Sequence, residues 1–203
     1  MPDLEDFKTR LQQLGDTLRA RLPEIAETLV LSAKAIAERK IKEQGIGEQY
    51  STNPIPAWFF HGKELNSGGQ SWLKQHGVNE KGEAGDATYR KGKKLKKKEK
   101  ATPEDRLGTW GEFRAAQGLQ SSHVDYSYTN KMWAAMLPGP VTESTGIYSC
   151  SLGATNTEAQ QKMNWNRDRD GDFIGKALSE QDFTTLKTVV VDGVLQIIND
   201  SNL

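Results

Sequence analysis

The chain has 203 residues, enough for one domain with an elaboration, and carries 27 Lys+Arg against 27 Asp+Glu. A formally neutral balance argues against general affinity for nucleic acid, and 35% hydrophobic residues with a mean hydropathy of −0.69 point to a modest core partly covered by partners. The single cysteine, Cys150, excludes an internal disulfide and a cysteine-based zinc site, and no run approaches the ~18 apolar residues of a membrane helix. The N-terminus is acidic and amphipathic and lacks the apolar stretch of a signal peptide, so the expected origin is a reducing cytoplasm.

Leu4, Phe7, Leu11, Leu14 and Leu18 recur at 3/4 spacing and predict an amphipathic helix. Pro23 breaks the stripe and is placed in the first turn of a second helix, where its missing N–H costs nothing. Ile25, Leu29, Ala33, Ile36 and Ala37 carry that helix to about Ile41, and Gly45 and Gly47 end it. Residues 45–119 then turn polar and rich in Gly, Lys, Ser, Asn and Pro, and predict a long insertion arm within a single domain spanning 1–203. In this arm Pro54 and Pro56 force extended backbone just before three consecutive aromatics, Trp58, Phe59 and Phe60, which are expected to anchor on a partner. Short helices or turns are expected around Trp72 and around Trp110 and Phe113.

Strand signals follow. Val124, Tyr126 and Tyr128 alternate with polar residues, Ala134 to Leu137 is a second candidate, and Gly146 to Leu152 a third. Thr155 to Trp165 predicts a helix and Arg167 to Asp172 a tight charged turn. The stretch from Ser179 to Asn199 has two readings. Phe183, Leu186, Val190, Val194 and Ile197 keep helical spacing behind a Ser179/Asp182 capping box. Val189 to Leu195 also suits a hairpin turning at Asp192-Gly193. The persistence of the stripe across that Asp-Gly favours helix. The fold class is therefore α+β: a small antiparallel sheet packed by N- and C-terminal amphipathic helices.

Signatures of chemistry are missing. His61, His76 and His123 are scattered through the polar middle and predict surface or loop positions, and none stands in a nucleophile or zinc motif. Gly68-Gly69 lacks the Gly-Lys-Ser/Thr of a phosphate loop. Asn166, Asp168, Asp170 and Gly171 match the first half of a calcium loop, but the twelfth place holds Ala177 instead of a bidentate Glu, so a structural turn is expected. The remaining feature is cationic. Arg90, Lys91, Lys93, Lys94, Lys96, Lys97, Lys98 and Lys100 with Glu99 give a local charge of +7. That run suits a solvated loop, DNA phosphate, or an acidic neighbouring subunit. With only Tyr89 beside it, no base-stacking platform is indicated.

Two segments together resemble a family. Val124 to Leu137 is similar to the strand-and-hairpin core of tailed-bacteriophage tail-completion proteins, a family of head–tail joining, neck and virion-morphogenesis proteins. Asn130 stands where that family often has Gly. Thr155 to Trp165 followed by Asp170 to Leu178 resembles a second family element, with Phe173, Ile174 and Gly175 in its Phe-Leu-Gly places. The resemblance implies a structural virion protein without catalytic residue, cofactor or metal. Its copies are expected to form a sixfold or twelvefold ring in the neck, between portal-side connector and tail, around the DNA channel. Its expected partners are further copies and neighbouring portal, connector or tail proteins, with non-specific contact to packaged DNA and no membrane. A rival reading is a nucleic-acid-binding accessory protein using Arg90 to Lys100.

Overall fold

The computed structural model describes residues 4–47, 49–50, 52–60, 65–78, 86–90, 93–100, 107–126 and 131–201. The chain divides into two compact units, one of Met1–Ile46 with Tyr126–Leu203 and one of Gly47–Asp125. Each is α+β, with the strands in short two-stranded antiparallel ladders.

The first unit is organised by two helices of unequal length. α1 runs from Leu4 to Gln44 without a break, so Pro23 lies inside one helix and does not open a second. A proline there removes a backbone hydrogen bond at a cost of about 3 kcal/mol. That cost is offset by α7 (Glu180–Asp200), which packs antiparallel along α1. Lys40 pairs with Asp182 at one end of α7 and Arg21 with Asp200, at 3.1 Å, at the other. The Asp192-Gly193 pair is helical, as the persistent stripe indicated, and Gly193 has a packing reason. A Cβ there would sit 3.1 Å from the Ile25 side chain, so glycine lets the two helices approach. The capping box forms as expected, with the Asp182 backbone N–H donating to Ser179 Oγ and the Ser179 N–H to the Asp182 carboxylate.

Between the long helices come α4 (Lys131–Ala135), β3 (Met136–Pro138), β4 (Thr142–Ser144), β5 (Ile147–Ser149), β6 (Leu152–Ala154), α5 (Thr157–Asp170) and α6 (Phe173–Ala177). β3 pairs with β6, Met136 opposite Ala154. β4 pairs with β5 through a two-residue turn in which Thr145 and Gly146 both have positive φ, 53° and 77°, the geometry that matches strand twist. The strand expected from Val124 does not form at Val124 to Tyr126, and 127–130 lie outside the described residues. The charged turn expected over 167–172 is instead the last turn of α5, closed by Gly171 at φ 72°. Asn166, Asp168 and Asp170 are thus helical residues, and a helix does not wrap its side chains around an ion as a calcium loop does.

Phe173 opens α6 just after that cap and is buried with Ile41, Met132, Trp133 and Met136. Its ring lies 6.0 Å from Trp133 edge-on and 4.9 Å from Tyr126. This is the core of the first unit, and it sits against the end of α1. Phe173→Ala is expected to cost about 3–5 kcal/mol, measured by urea unfolding. A loss below about 1 kcal/mol would mean that Phe173 is not part of a packed core.

The second unit is built on aromatics. Pro54 to Pro56 is followed by a 3-10 turn over Ala57–Phe60, not by further extended chain. Then come α2 (Ser67–Gln75), β1 (Asp86–Arg90), β2 (Lys93–Lys100) and α3 (Trp110–Ala116). Ile55 bonds to Leu107 and Gly108 through its backbone, which closes the far end of the segment onto its start. Gly68 exists for contact, because a Cβ would fall 2.0 Å from the Ala116 carbonyl oxygen. Residues 45–119, expected as a polar arm within a single domain, thus form most of a compact unit. Among the described residues, eight aromatic and aliphatic side chains scattered among polar ones make its core: Ile55, Phe60, Trp72, Leu73, Val78, Leu107, Phe113 and Val124.

Candidate assembly surfaces

The three aromatics expected to anchor on a partner do not share one environment. Phe60 is 0% exposed, edge-on to Phe113 at 4.6 Å and near Trp72 at 5.8 Å. It belongs to the core of its own unit, which corrects its assignment to a neighbour. Phe59 is half-buried against Phe60 and Trp110, and the Trp58 side chain lies outside the described residues. A 3-10 turn causes the split, since consecutive side chains then point in different directions around the axis.

The basic run is a hairpin. Arg90 pairs with Lys93, Tyr89 with Lys94, Ala87 with Glu99 and Asp86 with Lys100. Lys91 lies outside the described residues. β2 is longer than β1, and its surplus, which holds Lys96, Lys97 and Lys98, lies between the Tyr89–Lys94 and Ala87–Glu99 pairs. The solvated-loop reading of this run is therefore replaced by a strand hairpin whose register pairs Lys93, Lys94 and Lys100 and leaves Lys96, Lys97 and Lys98 between two pairs.

Two features of this unit escaped the sequence reading. The first closes its ends. Arg114 on α3 and Asp125, the last residue of the unit, form a buried ion pair at 2.7 Å, with side chains 2% and 7% exposed. Arg114 Nε also donates to the Gln120 carbonyl at 2.7 Å, and Tyr50, near the start of the unit, donates its hydroxyl to Asp125 at 2.8 Å. Burial and the adjacent carboxylate push the Tyr50 phenol well above its ordinary value, so it remains a donor. The guanidinium lies over the Tyr50 ring at 5.0 Å. Removing one partner from a buried pair strands the other charge and costs about 3–5 kcal/mol. Asp125→Ala is expected to show that loss in chemical unfolding. The double change Arg114→Met with Asp125→Leu should recover part of it, and a single variant as stable as the parent would contradict the clasp.

The second is His76, expected at the surface and found buried. Its ring packs on Trp72 at 4.1 Å, and Nδ1 lies 2.8 Å from the Trp72 carbonyl oxygen, an acceptor, so that nitrogen carries the proton. The i, i+4 spacing of Trp72 and His76 was the available signal. Burial pushes its pKa below 6.5, opposed more weakly by that carbonyl and by Glu112. A base whose folded pKa is depressed stabilises the fold fully above its unfolded pKa, and that stability is lost as pH falls through the folded value. Unfolding free energy should therefore drop from pH 7 to pH 5, and His76→Phe should flatten that slope. An equal slope in parent and variant would remove His76 as its cause.

In the first unit the open surface is on the helices. α7 lies along α1 up to Lys40 at one end, and at the other Ile197, Asp200 and Ser201 share a cleft with Arg10, Gln13, Leu14 and Thr17, so only the first turns of α1 extend beyond it. There Leu4 is 77% exposed, and Phe7 and Leu11 are about half exposed. On α7, Val191 and Leu195 are about half exposed on the side away from buried Leu186 and Ile197, and Phe183, about half exposed too, lies beside that buried face near the start of the helix. Elsewhere a cleft of about 350 Å³ between α4 and α5 is lined by Lys131, Glu158 and Lys162, with neither histidine nor cysteine. Tyr126 donates to Asp170, whose carboxyl burial would raise but which Arg169 and Tyr126 hold below its ordinary value. Among the described residues no group of three His, Cys, Asp or Glu could hold a metal, and no helix is long and apolar enough to cross a membrane.

Compared with family models, with curated proteins and with solved structures, the chain matches none.

Proposed function

We propose that this chain is a structural, self-associating subunit, and that its assembly is a ring in the neck, head–tail connector or tail-completion region of a tailed bacteriophage. The observation that carries the self-association is the exposed leucine stripe at the start of α1. Isolated helices of this length are marginal in water, so such a stripe is stable in company. The virion placement rests on the resemblance of Val124 to Leu137 and Asp170 to Leu178 to the tail-completion family. Its copies associate with one another and with portal, connector or tail proteins. The basic hairpin meets packaged DNA or an acidic neighbour through charge alone. The test is light scattering and negative-stain imaging of the purified chain, alone and with the virion proteins encoded beside it. Rings of six or twelve copies are expected. A monomer under all those conditions would end the proposal.

The hairpin also favours a second reading, a nucleic-acid-binding accessory protein. The two readings differ in affinity and in salt response. For a ring subunit, duplex DNA should bind weakly and without sequence preference, because lysines on a ladder offer phosphate contacts and no base-reading fork. Changing Lys94, Lys96, Lys97 and Lys98 to Gln should reduce binding equally on all sequences and lower the slope of log K against log salt by up to about 3–4. Tight binding in the parent at physiological salt would favour the accessory protein, and selective loss on one sequence would overturn both accounts of the hairpin.

A further inference from the structure

The chain passes from the first unit to the second between Ile46 and Gly47, and returns between Asp125 and Tyr126. Both crossings are held on either side. In the first unit, Ile46 and Tyr126 pack against the same core of Ile41, Met132, Trp133, Met136 and Phe173. In the second, the Tyr50 hydroxyl donates to Asp125 at 2.8 Å, and Arg114 holds the same carboxylate at 2.7 Å. The start and the end of the second unit are thus tied to each other inside it. Tyr126 carries a further sign. Its φ is 53°, in the left-handed region that a residue with a side chain keeps only where its surroundings over-determine it. Those surroundings belong to the first unit: the hydroxyl donates to Asp170, the ring lies 4.9 Å from Phe173, and the Arg169 guanidinium lies 5.5 Å from the ring centroid. At the other crossing Gly47 has φ 88° and open space where a Cβ would point. One crossing is fixed, and the other is made by the residue that turns most freely.

We infer that the second unit is an inserted domain that opens and closes as one cooperative piece, with the Tyr50–Asp125–Arg114 clasp as its catch, while the first unit stays folded around Ile46 and Tyr126. Such an insert opens and closes whether or not copies associate. The buried apolar side chains from Ile55 to Val124 all lie within 47–125, and those around Phe173 all lie outside that range. Neither core borrows from the other, and contiguous units of that kind open separately, each with its own free energy. An opened insert is a long loop between two seated residues. The entropy of closing a loop rises slowly with its length, so the first unit loses little when the insert opens. The consequence falls on the cationic run. β1 runs beside α2, so the ladder that places Arg90 to Lys100 is made and lost with the insert. The hairpin is presented while the catch holds, and the long helices are unaffected when it does not.

Hydrogen exchange of the full chain, read by mass spectrometry segment by segment, tests this. In Asp125→Ala the protected amides of α2 and α3 should exchange roughly a hundredfold or more faster than in the parent. Those of α5 and α7 should stay within about twofold of it. Phe113→Leu, a milder change in the insert's own core, should give the same pattern at smaller amplitude, and it serves if Asp125→Ala does not fold. Phe173→Ala should do the reverse, speeding α5 and α6 and sparing α2 and α3. If a change in the insert speeds α5 and α7 as much as α2 and α3, the chain opens as a whole and the inference is wrong. Equal acceleration everywhere in Phe173→Ala would overturn it as well. Unchanged exchange in Asp125→Ala, beside faster exchange of α2 and α3 in Phe113→Leu, would remove the clasp as the catch.

Discussion

A 21-residue helix covers a 41-residue helix, and the first unit follows from that inequality. At 1.5 Å per residue α7 is about 32 Å long and α1 about 62 Å. The antiparallel pairing is pinned at both ends, by Lys40–Asp182 and Arg21–Asp200, and its closest approach is made by Gly193 over Ile25. The covered stretch of α1 delivers Ile41 to the core of Trp133, Met136 and Phe173. The first turns have no such partner among the described residues of their own unit. Pro23 lies two residues from Ile25, on which Gly193 packs, so the residue that cannot donate its backbone N–H falls inside the stretch that α7 covers.

The second unit solves a different problem. Its chain is short and polar, so burial alone supplies little. Two devices compensate. Small residues bring backbones together, as where Gly68 meets the Ala116 carbonyl. A buried ion pair joins α3 to the unit's last residue while Tyr50 reaches the same carboxylate from its start. A buried pair is weak support for stability compared with an apolar isostere, but it is specific, because neither charge tolerates any other arrangement. In a unit with a small core shared between a few aromatic and aliphatic side chains, that specificity fixes where the ends go.

The helices were legible because their signals are local. The stripe Leu4 to Leu18, the Ser179/Asp182 capping box and the helical spacing through Val194 each survive in the structure. Pro23 misled because its local penalty is overridden by α7, a helix more than 130 residues away in sequence. The compactness of 47–125 was not legible for the same kind of reason. Ile55 meets Leu107, and Phe60 meets Trp72 and Phe113, across long polar separations that no window detects. The clasp was hidden too, since Arg114, Asp125 and Tyr50 look like ordinary polar residues until the fold brings them together. The exposed stripe was visible throughout, but only the length of α7 shows that its first turns remain uncovered.

Charge is distributed in a way that suits repetition. The whole chain is formally neutral while one eleven-residue run carries +7. Neutral copies approach one another without net repulsion, which matters where each contact is small. In the assembly proposed above, cationic hairpins spaced further apart than the Debye length of about 8 Å would repel one another little. A polyanion passing through a ring would meet every hairpin in turn and gain from each. Because the run offers charge without an interleaved base-reading group, that gain is the same for any sequence. For the neck ring proposed above, that indifference would admit any sequence, whereas a regulator of particular sites would be defeated by it.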